Sequence, residues 1–311
     1  MKRKIEKERK IKKIPVLLIA AGLIVHLLQS PACATLAMYW TDSLTGRIQR
    51  ATLDGSGVTD LVTSGLSSPT SIAIDASAGK MYWTDWDTNK IQRANLDGSA
   101  VEDLVTAGLS NPYGIALDVV GGRMYWTDSD YGKILRANLD GSLAEDLVAT
   151  GLSDPRGMAI DVLGGKIYWT DSGTDKIQCA NLDGSAVQDL VTGLSNPSGV
   201  AIDIVSGKMY WTGSKIQRAN LDGSAVEELA DLVYGSSGIA LDISIGKMYW
   251  TAGGSGHGND KIQRANLDGS GVEDLISGLG KPSGIALAPV PEPTSILFFS
   301  LISILLLKPR R

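Results

Sequence analysis

The sequence contains few of the side chains that build disulfides and metal sites. Its 311 residues include two cysteines, Cys33 and Cys179, and two histidines, His26 and His257. Cys33 and His26 lie in an N-terminal segment that we expect to be removed, so the mature chain would keep one of each. A single cysteine cannot form an internal disulfide, and a Cys/His zinc site needs three or four ligands. These counts exclude an internal disulfide and a Cys/His zinc site. We predict no metal centre, no cofactor and no catalytic residue.

Acidic residues outnumber basic residues in the middle of the chain. The formal net charge is -5, and both ends of the chain have a net positive charge, which leaves the central part acidic. An acidic body would repel a phosphate backbone, so we expect no nucleic acid partner. Solubility alone is another explanation for the same charge.

The N-terminus has the pattern of an export signal. Basic residues 2–13 precede an apolar run at 14–28, and small residues follow at Ala32 and Ala34. This pattern predicts that residues 1–34 are a signal peptide, cleaved by signal peptidase after Ala34. The run is shorter than the roughly 20 apolar residues of a membrane span. A lipid-modified Cys33 is the alternative, although the residues before it lack the usual apolar side chain.

A repeated tetrapeptide, Tyr-Trp-Thr-Asp, organises the rest of the chain. Intact copies begin at Tyr39, Tyr82, Tyr125 and Tyr168, and degraded copies that end in Gly213 and Ala252 begin at Tyr210 and Tyr249. The spacing of 39 to 43 residues indicates a repeat architecture. Such units cannot bury a core alone and must stack on one another.

Each repeat unit is expected to contain four short strands. In the second unit these are residues 71–75, 80–85, 90–95 and 101–105, with an Asp97-Gly98 turn between the last two. Four strands per unit form one blade of a β-propeller. We therefore predict an all-β fold, a six-bladed β-propeller of YWTD type over residues 37–288. It would be closed between the N- and C-terminal strands, because residues 284–288 supply the missing first strand of the opening blade.

These motifs carry a family resemblance. The Tyr-Trp-Thr-Asp copies, the Asn-Leu-Asp-Gly turns and the Pro-x-Gly-Ile-Ala-Leu-Asp strands resemble the YWTD propeller of the low-density lipoprotein receptor family. The resemblance covers residues 37–288 and implies a six-bladed module for binding and scaffolding. The chain departs from the receptors because it has no flanking cysteine-rich modules and because the last two motif copies lack the Asp.

The repeated motif residues are predicted to be structural. Strand alternation places Tyr and Thr on one side of a blade and Trp and Asp on the other, and both sides are covered by neighbouring blades. We expect each Asp to accept hydrogen bonds from backbone N–H groups of the neighbouring blade, because a buried charge must be paired. An aromatic ligand cage and a carboxylate ring are the alternatives. The residues concerned are Tyr39, Trp40, Asp42, Tyr82, Trp83, Asp85, Tyr125, Trp126, Asp128, Tyr168, Trp169 and Asp171.

An arginine recurs in the third strand of the unit, and Cys179 replaces it in one copy. We interpret these arginines as partners in outer-strand ion pairs or as packing stems, and Cys179 as a tolerated substitution. The positions are Arg50, Arg93, Arg136, Arg218 and Arg264.

Function is expected where the repeats differ from one another. The loops after the Tyr-Trp strands vary most, and in a propeller they share one face with the links between blades. Exposed loops on a rigid scaffold commonly carry binding residues, and aromatic residues and Arg dominate binding hot spots. The candidate binding face consists of Trp86, Tyr113, Tyr131, Arg156 and His257. Neutral drift of surface loops would give the same variation.

The C-terminus, residues 289–311, has the pattern of a sorting and transmembrane tail. Pro291-Glu292-Pro293 precedes an apolar run at 296–307, and Arg310 and Arg311 follow. This resembles the PEP-CTERM sorting signal of exported bacterial proteins, which implies cleavage by an exosortase-type membrane protease in a bacterium that makes exopolysaccharide. Basic residues stay in the cytoplasm, so the propeller would lie outside. A permanent tail anchor is the alternative.

Together these patterns predict a non-enzymatic protein of the bacterial cell surface or extracellular matrix that binds protein or polysaccharide. Its other expected partners are signal peptidase and the exosortase-type protease, with transient membrane association through the tail. A metal-dependent lactonase or hydrolase, or a purely structural matrix protein, remains an alternative. An enzyme of that kind would need convergent acidic, Asn or His groups at the channel mouth, and the repeated Ile-Ala-Leu-Asp strands offer little variation there.

Overall fold

The computed structural model describes residues 36–232, 236–253 and 260–290, which form 24 β-strands. The first eight are β1 (Leu36–Asp42), β2 (Arg47–Thr52), β3 (Thr59–Val62), β4 (Pro69–Asp75), β5 (Lys80–Asp85), β6 (Lys90–Asn95), β7 (Glu102–Val105) and β8 (Pro112–Asp118). The next eight are β9 (Arg123–Asp128), β10 (Lys133–Asn138), β11 (Glu145–Val148), β12 (Pro155–Asp161), β13 (Lys166–Asp171), β14 (Lys176–Asn181), β15 (Gln188–Thr192) and β16 (Val200–Asp203). The last eight are β17 (Lys208–Thr212), β18 (Lys215–Asn220), β19 (Glu227–Asp231), β20 (Ser236–Asp242), β21 (Lys247–Ala252), β22 (Asp260–Asn266), β23 (Glu273–Leu279) and β24 (Pro282–Pro289).

The described strands form six antiparallel sheets of four strands each. Five sheets contain four consecutive strands, and the sixth has the order β24-β1-β2-β3. We number this sheet blade 1 and the others blades 2 to 6 in chain order. The first strands of the sheets, β24, β4, β8, β12, β16 and β20, contact one another in a closed ring. This ring surrounds a central channel, and the predicted six-bladed propeller is confirmed.

The two ends of the described chain close the ring within blade 1. Strand β24 pairs antiparallel with β1, with Tyr39 opposite Ala286 and Trp40 opposite Ile285. The predicted closure is therefore confirmed, although the closing strand extends beyond residues 284–288 at both ends. The pairing leaves no open edge between the first and the last blade.

The tight Asp-Gly turns place each blade against its neighbour. Gly98 has φ +84°, and a Cβ atom added there would lie 2.1 Å from the carbonyl oxygen of Leu61 in the preceding blade. Only glycine allows both this conformation and this close approach. The turn residue of the sequence motif is therefore also a contact between blades.

The hydrophobic core lies between the blades. At five of the six junctions between blades, the Tyr of one blade packs in the same cluster as the Trp of the next. The six motif tryptophans are at most 1% exposed. Burial of such a side chain contributes about 1.5–3 kcal/mol. The Tyr and Trp pairs are Tyr39 with Trp83, Tyr82 with Trp126, Tyr125 with Trp169, Tyr210 with Trp250, and Tyr249 with Trp40.

A glutamine in the third strand satisfies the indole nitrogen of each Trp except one. Trp83 Nε1 donates to Gln92 Oε1 at 3.0 Å, and blades 1, 4, 5 and 6 repeat this bond at 3.0–3.2 Å. In blade 3 the glutamine is replaced by Leu135. Trp126 Nε1 is consequently buried without a hydrogen-bond partner among the described residues.

The recurrent arginines join the outer strands of neighbouring blades. Arg93 pairs with Glu102 at 2.7 Å and also donates from Nη1 to the carbonyl of Leu139 in the next blade, at 3.1 Å. Blades 3, 5 and 6 repeat both contacts through Arg136, Arg218 and Arg264. The ion-pair interpretation was therefore incomplete, since each of these arginines also links two blades. Cys179, which is buried, replaces the arginine in blade 4.

The two ends of the channel differ in what surrounds them. We call the end where the Tyr-Trp strands finish and the inner strands begin the loop face. The opposite end is the turn face, which carries the inner hairpin turns and the Asp-Gly turns. Leu36 and Val290 lie at the turn face, because β1 begins and β24 ends there. Within the described ranges, no helix is long and apolar enough to cross a bilayer.

Candidate functional site at the channel mouth

The threonine of each motif fixes the inner strand of the next blade. Its hydroxyl donates to an inner-strand carbonyl of that blade at 2.5–3.0 Å, and it accepts from an N–H of its own inner strand. The donor and acceptor pairs are Thr41 with Thr70, Thr84 with Tyr113, Thr127 with Arg156, Thr170 with Ser198, Thr212 with Ser237, and Thr251 with Ser283. Six identical bonds therefore hold the backbone around the channel.

The motif aspartates hold the links that enter their own sheets. The Asp85 carboxylate accepts from the backbone N–H groups of Ser67, Ser68 and Thr88 at 2.9–3.2 Å. The predicted location of the donors, in the neighbouring blade, is therefore wrong, because Ser67 and Ser68 belong to the link that enters the sheet of Asp85. The Tyr-Trp strand ends at the loop face, where the chain arriving from the preceding blade crosses to the inner strand. The nearest free N–H groups therefore belong to this link.

Asp42 and Asp171 each accept from two backbone N–H groups of the link, and Asp128 accepts from one. Asp42 accepts from Gly280 and Lys281, whereas Asp128 accepts from Ser110 in the link and from Tyr131. Burial raises the pKa of Asp128, and these two N–H groups only partly offset that effect.

A cavity of about 470 Å³ opens at the loop face, over the mouth of the channel. All six blades contribute to its walls. Its inner ring consists of the six residues whose carbonyls the motif threonines hold: Thr70, Tyr113, Arg156, Ser198, Ser237 and Ser283. The fold thus fixes the backbone of this ring while the side chains differ from blade to blade.

Tyr113 reaches across the channel and forms the floor of the cavity. Its hydroxyl lies 2.8 Å from Ser237 Oγ and 3.3 Å from Ser198 Oγ, on blades at the other side of the ring. Below it lies a narrower space of about 70 Å³ lined by the inner strands. A ligand entering from the loop face would therefore meet the phenol ring of Tyr113.

Trp86 and Arg156 flank this phenol ring. The ring centroids of Trp86 and Tyr113 are 5.9 Å apart with an interplanar angle of 59°. Arg156 Cζ lies 5.8 Å from the Tyr113 centroid, and Arg156 Nη2 pairs with Asp154 at 2.7 Å. The ion pair holds the guanidinium beside the aromatic rings, where it can also donate to a ligand.

The remaining lining is mostly hydroxyl-bearing. Lys281 adds a second cation, and no carboxylate lines the described part of the cavity. The hydroxyl groups belong to Ser43, Ser68, Thr70, Ser198, Ser214, Ser237 and Ser283. The described residues also contain no group of three or more His, Cys, Asp or Glu able to hold a metal ion. The cavity can therefore stack a ring, accept and donate hydrogen bonds, and attract negative charge.

The structure brings together three of the five predicted binding residues. Trp86, Tyr113 and Arg156 all line the cavity. Tyr131 lies on the loop face outside the cavity, 53% exposed, with Lys133 Nζ 5.9 Å from its ring centroid. His257 lies outside the described residues, as do the sorting-motif residues Pro291, Glu292, Pro293, Arg310 and Arg311.

Sequence reasoning missed the serine and threonine members of the ring. They occupy the position before the repeated inner-strand glycine, or before Ser71 in blade 2. This position reads Thr, Tyr, Arg, Ser, Ser and Ser around the channel. Variation at one position of an otherwise constant strand was the available signal. It was overlooked because the adjacent loops vary more.

Comparison with known proteins places these features in a family. The model of the low-density lipoprotein receptor repeat class B matches residues 37–76, 79–119, 122–162 and 165–204, together more than half of the chain. Comparison with curated protein sequences finds none that matches.

Solved structures share the fold. A chain of the crystal structure of the nidogen/laminin complex superposes with a TM-score of 0.72 at 24% identity, covering 81% of this chain and 98% of that one. TolB from Acinetobacter baumannii gives 0.68 at 16% identity, covering 88% and 71%. Each of the four matched repeats spans the last three strands of one blade and the first strand of the next. Because the family model matches more than half of the chain, the chain belongs to the family of the low-density lipoprotein receptor repeat class B.

Proposed function

We propose that the chain is an exported protein that binds an extracellular protein or polysaccharide in the loop-face cavity. The observation that carries this proposal is the group of Trp86, Tyr113 and Arg156 in a cavity of about 470 Å³. This volume lies in the range of small-ligand pockets. It accommodates one or two sugar rings, or a few side chains of a protein loop.

The chemistry of the lining supports binding. Trp, Tyr and Arg are enriched in binding hot spots because they bury large areas and retain a polar group. The serine hydroxyls around them match the hydroxyls of a sugar or the backbone of a peptide. Arg156 and Lys281 are the charged side chains that line the described cavity, and both can donate hydrogen bonds to a ligand.

Export and sorting form the second part of the proposal. We propose that signal peptidase removes residues 1–34 and that an exosortase-type protease recognises Pro291-Glu292-Pro293. Before that cleavage the apolar run at 296–307 would hold the propeller at the outer side of the membrane. The sequence patterns at both ends support this proposal.

Binding is tested with an array of bacterial polysaccharide fragments and a parallel array of extracellular peptides. The wild-type chain should bind members of one array. Trp86→Ala should weaken that binding by about tenfold or more, equivalent to about 1.4 kcal/mol. Tyr131→Ala serves as the matched control, since it removes an exposed aromatic of the same face outside the cavity. Equal loss in both variants, or retention in Trp86→Ala, would remove the cavity from the proposal.

Processing is tested by mass spectrometry of the protein isolated from a bacterium with an exosortase. We expect an N-terminus at Thr35 and a C-terminus near Pro293. A mature protein that retains Met1 and Arg311 would contradict the export and sorting proposal while leaving the binding proposal intact.

A further inference from the structure

The turn face carries exposed aliphatic side chains that the core does not use. They lie at the tips of the inner hairpins of blades 3 to 6. Val120, Leu163 and Val205 are 93%, 94% and 92% exposed, and Ile245 is 56% exposed. We call Val119, Val120, Leu163, Ile204, Val205, Ile243 and Ile245 the apolar rim. Exposed apolar groups clustered on one face commonly mark an interaction surface.

The rim belongs to one part of the ring. Blade 2 has Ala76, Ser77 and Ala78 at the same hairpin, and blade 1 has the two chain ends instead. The tips of blades 3 to 6 contain no charged residue. The rim therefore occupies four adjacent blades of the turn face.

The tips are held in fixed conformations. The Asp118 carboxylate accepts from Gly121 N–H at 2.7 Å, and Asp161 makes the same bond to Gly164. In blade 5 Asp203 accepts from the N–H groups of Val205 and Ser206. A surface that contacts these tips would therefore order little additional chain, which lowers the entropic cost of binding.

The chain leaves the propeller at this same face. Val290 follows β24 at the turn face, and the apolar run begins at Ile296, six residues further on. Six residues span at most about 20 Å. If the run at 296–307 is inserted in a bilayer, the turn face must lie close to the headgroups.

We propose that the apolar rim docks on a zwitterionic phospholipid surface and orients the loop-face cavity away from the membrane. This inference rests on the membrane association in the proposed function. The protruding tips suit insertion between headgroups rather than the binding of a helix in a groove. The nearby Asp-Gly turns carry exposed carboxylates, such as Asp97 and Asp140, and basic residues directly follow the tips. Charges of both signs beside the rim suit zwitterionic headgroups better than an anionic surface. The basic residues are Arg123, Lys166, Lys208 and Lys247.

The test uses the full chain reconstituted in phosphatidylcholine vesicles. An environment-sensitive fluorophore is attached at Val205→Cys, or at Leu44→Cys as the control. Leu44 is an exposed aliphatic residue of the loop face, 56% exposed. Both carry Cys33→Ser, and the remaining cysteine, Cys179, is buried. Lipids with a quencher on the acyl chain should quench the label at position 205 several-fold more strongly than the label at position 44.

A second variant tests whether the rim causes this docking. Val120→Ser combined with Leu163→Ser should reduce quenching of the label at position 205, whereas Leu44→Ser should leave it unchanged. Replacement of phosphatidylcholine by phosphatidylglycerol should also reduce it. Equal quenching at positions 205 and 44 would overturn the inference. Shielding of the label at position 205 from solvent without acyl-chain quenching would also overturn it and would indicate a protein contact instead.

Flotation of the unlabelled chain with the same vesicles separates this inference from the proposed function. A chain that floats while position 205 is not quenched contradicts rim docking alone. A chain that does not float contradicts membrane association and rim docking together.

Discussion

The loop face and the turn face are built from the same repeats but differ in what varies. At the turn face, the turns after the third strands have nearly the same sequence, and the same serine-to-aspartate bonds recur in all six blades. At the loop face, the threonine bonds are equally constant, yet the residues whose carbonyls they hold range from Ser to Tyr and Arg. Because these bonds use the backbone, the side chains at the channel mouth are free to change without loss of the fold.

The largest effect should come from breaking a threonine bond of the loop face. Thr127 Oγ1 lies 2.6 Å from the Arg156 carbonyl oxygen and 2.8 Å from the Gly114 nitrogen. Thr127→Val keeps the shape of the side chain but leaves this carbonyl and this N–H without a partner. Each unpaired buried group costs about 1–3 kcal/mol. We expect the free energy of unfolding, measured by urea denaturation, to fall by about 2–4 kcal/mol.

Thr88→Val is the matched control for this substitution. The Thr88 hydroxyl is buried near the same face and has no hydrogen-bond partner among the described residues. Its removal should leave stability unchanged or slightly higher. Equal destabilisation by the two substitutions would show that the threonine ring does not hold the blades together.

The next largest loss of stability is expected between the two faces, where the indole of each motif Trp is buried. Gln92→Leu would give blade 2 the arrangement of blade 3, with Trp83 Nε1 buried and unpaired. We expect a loss of about 1–3 kcal/mol in urea denaturation. The reverse change, Leu135→Gln, should stabilise blade 3 by about 1 kcal/mol through a bond to Trp126. A loss of stability in both variants would mean that packing rather than the indole bond decides this position.

A smaller effect is expected at the outer edge of blade 4. Cys179→Arg together with Gln188→Glu would reproduce the contacts that Arg93 makes with Glu102 and with the next blade. The ion pair is partly exposed, so the gain should be below about 1 kcal/mol. A small rise in the midpoint of thermal unfolding would support the arginine link. Destabilisation would indicate that the buried site of Cys179 cannot admit the longer side chain.

The turn face should respond to acid through its exposed aspartates. Hydrogen bonds from Thr52 and Ser56 lower the pKa of Asp54 from 3.8 to about 2, and equivalent serine bonds lower the pKa of Asp97, Asp140, Asp183, Asp222 and Asp268. A lowered folded-state pKa means that this stabilisation is present above pH 3.8 and is lost as the pH falls towards 2.

Unfolding measured across this pH range should therefore show a small decrease in stability towards acid. Asp54→Asn should make this dependence shallower than in the wild-type chain. A profile that Asp54→Asn does not alter would contradict the assigned role of the turn carboxylates.

The sequence predicted the fold well because the repeats show the number of strands and their order along the chain. Six Tyr-Trp strands and six inner strands, out of phase at the ends, are sufficient to predict both the blade number and the closure by β24. Trp86, Tyr113 and Arg156 could be assigned to one face, because loop position alone determines the face.

The site itself could not be predicted in detail from the sequence. The contact of Tyr113 with Ser237 joins residues 124 positions apart, and it depends on the channel diameter. The role of the motif threonine was missed because a small residue in a strand gives no sign of which carbonyl it reaches. The partners of Asp85 were misplaced because the path of the link between blades is a tertiary feature.

Trp86 provides the most direct test of the loop-face cavity. The chain has seven tryptophans, and the other six are at most 1% exposed, so iodide should quench essentially only the fluorescence of Trp86. Addition of a ligand identified on the arrays should protect this fluorescence from iodide in the wild-type chain and in Tyr131→Ala. Binding of the same ligand with unchanged iodide quenching would place recognition outside the cavity and contradict the account.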